Sequence, residues 1–276
     1  MNLVKSFPTF ESLFSRGDAI SVSNSRAILA YPSSLESCLV SIWILGPNLE
    51  TNISGSAQRC KFKEGNRHNC SVFDICILNG DRENYKLLVG YEDGFICCFS
   101  FDENRTKSVP ETGVTGLDVQ LIFTCDTGFK DFVSAFDVIE LASSEKFIFC
   151  GAPKKEIVKI KCDGNFTEEP NIDRIATKHQ GVSALKICLE HRCVASGYWD
   201  KKLELLDLDG NVIEILDGHL DQVQDISFVS KSKLELAECG ASGDRGQRGD
   251  DVAGQPYDSY YMCTASLDGT IGIMSL

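Results

Sequence analysis

The sequence predicts an all-β chain built from a repeated four-stranded unit, on three observations. Four segments share one shape, a short apolar run, a turn, then a run alternating every two residues. They are KLLVGYEDGFICCFSFD (86–102), KFIFCGAPKKEIVKIKCD (146–163), RCVASGYWDKKLELLDLDG (192–210) and YMCTASLDGTIGIMSL (261–276). Each is preceded by an apolar run of strand length: SVFDICIL (71–78), DFVSAFDVIEL (131–141), GVSALKICL (181–189) and DQVQDISFV (221–229). Helical periodicity, in contrast, is hard to find along the chain.

Each of the four segments reads as a β-hairpin. Three of the turns carry Asp-Gly or Asp-Lys, residue pairs that tolerate the backbone geometry of a tight turn. A fainter hairpin, RAILAYPSSLESCLVSIWIL (26–45), precedes them. Three upstream strands place Asp before Ile or Val, at Asp74, Asp137 and Asp225, and a further β-rich segment such as VQLIFTCD (119–126) or NVIEILDGH (211–219) follows. The turn positions Asp93, Lys154, Asp200 and Asp268 are 61, 46 and 68 residues apart. The middle interval is near the roughly 40–45 residues of one four-stranded propeller repeat, and the longer ones require insertions. The Gly-, Asp- and Arg-rich stretch 231–260 is read as a disordered insertion within the last unit, and 48–70 and 102–118 as loops. The repeats are expected to form one domain over 1–276.

Composition narrows the function. With 276 residues, a net charge of −13 and 24% charged residues, the chain is expected to repel nucleic acid and anionic lipid. Lys154, Lys155, Lys159 and Lys161 read as a solvated strand edge. Residues 1–23 lack the pattern of a secretory signal, and no run approaches the roughly 18–20 apolar residues that span a bilayer. An intracellular protein of the nucleus or cytoplasm is therefore expected. The 13 cysteines include no C-x-x-C pair, and Cys60, His68, Cys70 and Cys76 match no familiar zinc module. Buried reduced thiols are expected, with no metal and no cofactor. No phosphate loop, nucleophile elbow or H-E-x-x-H occurs.

The link VIEILDGHLDQVQDISF followed by CTASLDGTIGIM resembles the WD40 family of β-propellers. The resemblance implies a buried structural hydrogen-bond network of His219, Ser266 and Asp268, with Met274 in place of the family's Trp. Phe99, Ile160 and Leu206 stand at the Trp position of other units, Trp43 stands there in the first, and Lys154 replaces a turn Asp. Five blades are recognisable against the family's usual seven, which implies an incomplete or open ring. The last blade ends at its third strand, and MNLVKSF (1–7) is the candidate closing strand. The order of LLVGYEDG (87–94), CGAPKKEIVKI (150–160) and VASGYWDKKLELLD (194–207) is similar to one subfamily, the guanine nucleotide-binding protein subunit beta-like protein 1 and ASTRA-associated protein 1 group.

These readings favour a non-enzymatic scaffold for protein partners. Tyr91, Glu92, Tyr198 and Trp199, on two of the turns, are the candidate interface residues, because rigid aromatics anchor many protein interfaces. The resemblance implies a link to the ASTRA chromatin-associated assembly and to the co-chaperone machinery of phosphatidylinositol-3-kinase-like kinases. A reader of basic or modified peptides, such as histone tails, in the propeller channel is the alternative. A true G-protein β subunit is disfavoured because residues 1–16 contain Pro8 and no heptad pattern. A propeller hydrolase is disfavoured because no catalytic carboxylate pair is identifiable.

Overall fold

The computed structural model describes residues 16–23, 26–32, 39–46, 51–58, 72–78, 84–108, 115–141, 145–230 and 260–276. Among these, every regular element is a strand. The chain divides into two compact units, Met1–Thr177 and Lys178–Leu276. The first holds three four-stranded sheets: β1 to β4 (Asp18–Ser23, Arg26–Pro32, Leu39–Leu45, Thr51–Gln58), β5 to β8 (Val72–Leu78, Asn84–Tyr91, Phe95–Ser108, Thr115–Asp126) and β9 to β12 (Ala135–Glu140, Lys146–Gly151, Glu156–Cys162, Asn171–Ala176). The second holds β13 to β16 (Val182–Cys188, Cys193–Tyr198, Leu203–Asp207, Val212–Leu216) and a sheet of β17, β18 and β19 (Val223–Ser230, Tyr260–Ser266, Ile271–Ser275). In every sheet consecutive strands pair antiparallel, as in propeller blades.

Burial explains why the second strand of each unit reads as a continuous apolar run. Alternate residues of a strand face opposite sides of its sheet, and a strand covered on both sides is apolar throughout. In β6, Leu87, Val89 and Tyr91 pack with Ile28, Ile42 and Ile75 of the first two sheets. Leu88, between them, packs the other way with Ile148, Val158 and Ile160 of the third. The adjacent Cys97 and Cys98 divide in the same manner between these two cores, so they face apart. All nine described cysteines are free thiols. Burial pushes the thiols of Cys98 and Cys162 up to about 12, which keeps them protonated and apolar in behaviour. The fourth strands lie outermost, and β12 and β16 are almost wholly exposed.

Two segments expected to be loops contain strands. Thr51–Gln58 pairs along its length with β3, and β7 and β8 continue to Ser108 and back from Thr115 past an irregularity between Phe101 and Thr106. Backbone pairing to a neighbouring strand overrides a composition rich in Ser, Gly and Asn, because an outer strand needs no apolar run. Cys60, His68, Cys70, the segment 1–7 and nearly all of the 231–260 insertion lie outside the described residues.

The Asp-Ile pattern of the first strands has a physical cause. A bulge displaces the residue between Val72 and Asp74, and equivalent shifts occur at Val182/Ala184 and Val223/Asp225. Asp74 accepts the N–H of Ile75 at 3.0 Å on one oxygen and that of Phe136, in the next sheet, at 2.9 Å on the other. Asp18 repeats the arrangement, accepting from Ala19 at 2.8 Å and from Ile77 at 2.7 Å. Each carboxyl thus joins the first strands of two sheets.

Burial raises the Asp74 carboxyl from 3.8 to about 6, against the opposing pull of Arg16 and the two N–H donors. The folded chain then retains a proton that the unfolded chain releases between about pH 4 and 6. Stability contributed here falls as pH rises through that window, by about 3 kcal/mol in total. Asp74→Asn removes the charge, so the fall between pH 4 and 6 is expected to shrink in the variant. Urea denaturation midpoints of both proteins at pH 4, 5, 6 and 7 check this; parallel profiles would refute it.

Candidate protein-binding rim of the second unit

Both sheets of the second unit carry a turn of the same design between their second and third strands. In β14–β15 it is Trp199-Asp200-Lys201, and in β18–β19 it is Leu267-Asp268-Gly269. The N–H of Trp199 donates to the carbonyl of Gly181 at 2.9 Å, and that of Leu267 to the carbonyl of Gln222 at 3.0 Å. Each turn is thereby tied to the loop entering its sheet. The third turn residue is left-handed in both, with φ of 77° at Lys201 and 80° at Gly269. Gly94 occupies the same place after Glu92-Asp93 in the first unit, with φ of 83°.

A histidine clamps each turn. His219 Nδ1 lies 3.0 Å from Thr270 Oγ1, and its Nε2 lies 2.7 Å from Thr264 Oγ1. Thr270 donates its hydroxyl proton to Asp268, so His219 donates from Nδ1 and accepts from Thr264 at Nε2. Asp268 also accepts the N–H groups of Thr270 at 2.8 Å and Leu220 at 2.6 Å. The Thr270 hydroxyl and these amides hold its carboxyl far below the usual carboxylate range. Ser266 does not bond the histidine. Its hydroxyl donates to the carbonyl of Asp221 at 3.0 Å, and its oxygen accepts the N–H of Asp268 at 3.3 Å. The threonine two residues earlier, on the same face of β18 and further from the turn, takes the histidine.

His179 plays the corresponding part in the other sheet, and sequence reasoning passed over it. Its Nδ1 lies 2.7 Å from Asp200 Oδ2, and its Nε2 lies 3.6 Å from Glu204 Oε1. Glu204 is fully buried and accepts the Tyr198 hydroxyl at 2.7 Å. In the last sheet Gly272 stands in place of Glu204, and a Cβ there would meet Thr264 Oγ1 at 2.6 Å. The spacing held a signal. His179 and Asp200 are 21 positions apart, and His219 and Asp268 are separated by a similar interval once 231–259 is set aside. The buried carboxylate had no such signal.

Of the four candidate interface residues, two are corrected by the structure. Tyr91 and Tyr198 are 0% exposed, their rings turned into the sheets, so neither is a surface anchor. Glu92 is exposed on its turn in the first unit. Trp199 is 41% exposed. Its ring lies flat over Gly181, where an added Cβ would come within 2.3 Å of Cδ2. One face of the indole is thus braced by backbone while the ring remains accessible. Leu267, at the same turn position, is 60% exposed, and Leu220 is 77% exposed. Between the two sheets runs a groove of about 360 Å³ lined by Leu203, Leu216, Met262 and Met274, with His219 and Thr264 on its wall. Among the described residues no group of three or more His, Cys, Asp or Glu side chains is arranged to hold a metal ion.

No protein-family model matches the chain, and no curated protein matches it. Solved structures do. The crystal structure of BBS1N in complex with ARL6DN, soaked with lead, matches with a TM-score of 0.57 and 13% identity, covering 94% of this chain and 64% of that one. The same complex soaked with mercury matches with a TM-score of 0.53 and 13% identity, covering 90% and 60%. The chain therefore spans less than two thirds of the length of those chains. Likeness at this identity speaks for the fold: the neighbours are propeller domains, and this chain is an all-β protein of the β-propeller class whose described residues form five blade-like sheets.

Two outcomes follow from the clamp. Thr264→Val, which removes the hydroxyl on His219 Nε2, is expected to cost about 1–3 kcal/mol, and more than Ser266→Ala, whose partners lie near solvent; chemical denaturation of both variants checks the order. Lys201→Gly is expected to stabilise by about 0.5–1 kcal/mol, because a left-handed conformation disfavours a side chain, and thermal melts will show whether the midpoint rises.

Proposed function

We propose that the chain is a non-enzymatic protein-interaction module of the WD40 type whose second unit binds a protein partner through its turn rim. The observation that carries this reading is Trp199, a large ring held flat against Gly181 with much of its surface open. A side chain already fixed in place loses little entropy when covered, which is why such rings dominate interface energetics. Leu267 and Leu220 add apolar area on the neighbouring loops. The histidine and carboxylate groups do not form a catalytic dyad on this reading, since both ring nitrogens of His219 are engaged in holding a turn. A propeller of similar fold, BBS1N, is found in complex with a protein, ARL6DN.

The motif order 87–94, 150–160 and 194–207 supports a finer assignment to the G-protein β-like protein 1 and ASTRA-associated protein 1 group. The partners would then be subunits of the co-chaperone machinery for phosphatidylinositol-3-kinase-like kinases, in the nucleus or cytoplasm. One observation favours the alternative of a basic peptide as ligand. Two exposed apolar residues of the rim are followed by exposed aspartates, as Trp199-Asp200 and Leu220-Asp221, which suits a segment carrying both apolar and basic residues.

Affinity purification of the tagged protein from its own cells, beside Trp199→Ala, tests the reading. The substitution is expected to weaken capture of a specific partner tenfold or more, while shifting stability by less than about 1 kcal/mol. Capture of co-chaperone subunits supports the finer assignment, and capture that falls steeply with salt supports the basic-peptide alternative. Equal recovery with both proteins would remove Trp199 from the interface.

A further inference from the structure

At the end of the fourth sheet remote from Trp199, β13 and β14 are joined by the exposed turn Leu189-Glu190-His191-Arg192. Immediately inside it, Cys188 and Cys193 are direct cross-strand partners. Opposed residues of an antiparallel pair have Cα atoms roughly 4.5–5.5 Å apart, within the roughly 4.4–6.8 Å a disulfide spans. As direct partners both side chains lie on the same side of the sheet and both are buried, and the Cys188 thiol donates to Glu190 Oε2 of the turn at 3.8 Å. Cys97 and Cys98, the other adjacent pair, face opposite sides of their sheet.

We propose that Cys188 and Cys193 are a redox site that closes, under a small-molecule disulfide such as oxidised glutathione, to a cross-strand bridge locking β13 to β14. The chemistry balances as two exchanges. The thiolate of one cysteine attacks a sulfur of oxidised glutathione, forming a mixed disulfide and expelling one glutathione thiolate, which takes up the proton released. The thiolate of the second cysteine then attacks the protein sulfur of that mixed disulfide, forming the Cys188–Cys193 bond and expelling the second glutathione. Two protein thiols are oxidised, and one glutathione disulfide is reduced to two thiols.

The surroundings set when this happens. Burial pushes both thiols up, Cys193 to about 11, so the pair is protonated and shielded while the hairpin end is closed. The turn beyond it is exposed at all four residues, and Leu189, an apolar side chain, is among the more exposed. Opening of that turn, the kind of local fluctuation an exposed hairpin end undergoes, presents the two sulfurs together. The pair then behaves as a slow sensor whose oxidation follows hairpin opening, unlike a low-lying reactive thiol.

The full chain is incubated in buffers of rising oxidised-to-reduced glutathione ratio, quenched with N-ethylmaleimide and analysed by peptide mass spectrometry. The expected product is a 188–193 peptide lighter by two hydrogens and unalkylated. Cys193→Ser is expected to accumulate a glutathione adduct on Cys188 instead. The wild-type thermal midpoint is expected to rise on oxidation, and that of the variant to remain. Because the first measurement uses the unsubstituted protein, it does not depend on the variant folding. Stable glutathione adducts on both cysteines of the wild type, or bridges elsewhere while 188 and 193 remain alkylated, overturn the proposal.

Discussion

The middle strands of these sheets are apolar on both faces, and a sheet of that kind cannot stand alone. Tyr91 and Leu87 turn to one side of β6 while Leu88 turns to the other, and both sides are covered by further sheets of the first unit. Burying a side chain such as Leu or Phe contributes roughly 1.5–3 kcal/mol, a gain available to β6 only if two neighbours are present. The repeat is therefore a unit of sequence but not of stability. Everything polar in the structure has to be accommodated to that stacking.

The accommodation takes two forms. Between sheets of the first unit, Asp18 and Asp74 accept the N–H groups of Ile77 and Phe136, each on the first strand of the neighbouring sheet. Within the second unit, histidines tie the turns to the entering loops. The turns are consequently rigid, and the side chain at the tip of each, Trp199 or Leu267, is displayed rather than absorbed. Rigidity at the rim and buried polar networks beneath it are one arrangement seen from two sides. The same rule separates thiols: those between stacked sheets are inert, whereas Cys188 and Cys193 sit under a turn that water reaches.

Much of the fold was legible because alternation and turn chemistry are local. The hairpins at 86–102, 146–163, 192–210 and 261–276 stand where the runs of Ile, Val and Leu and, in all but the second, the Asp-Gly or Asp-Lys pairs place them. Strand β4 was not legible, since its pairing to β3 uses backbone groups that every residue carries. At the site, Ser266 and Thr264 are both hydroxyl residues on one face of one strand, and only the position of His219 distinguishes them. Tyr91 and Tyr198 beside a turn look like display residues in sequence. Their rings point inward because the turn begins one residue later, at Glu92 and Trp199.

Sequence by itself determined the strand content, the repeated four-stranded unit and the composition of the turns, because each depends on neighbours within a few residues. Tertiary structure decided which side of each strand is covered, that Glu204 is buried beside His179, and that Trp199 rather than Tyr198 is open. These are properties of chain segments 20 to 50 residues apart brought together by stacking. No local pattern encodes them, because the free energy that selects them comes from burial between sheets and not from the conformation of any one sheet.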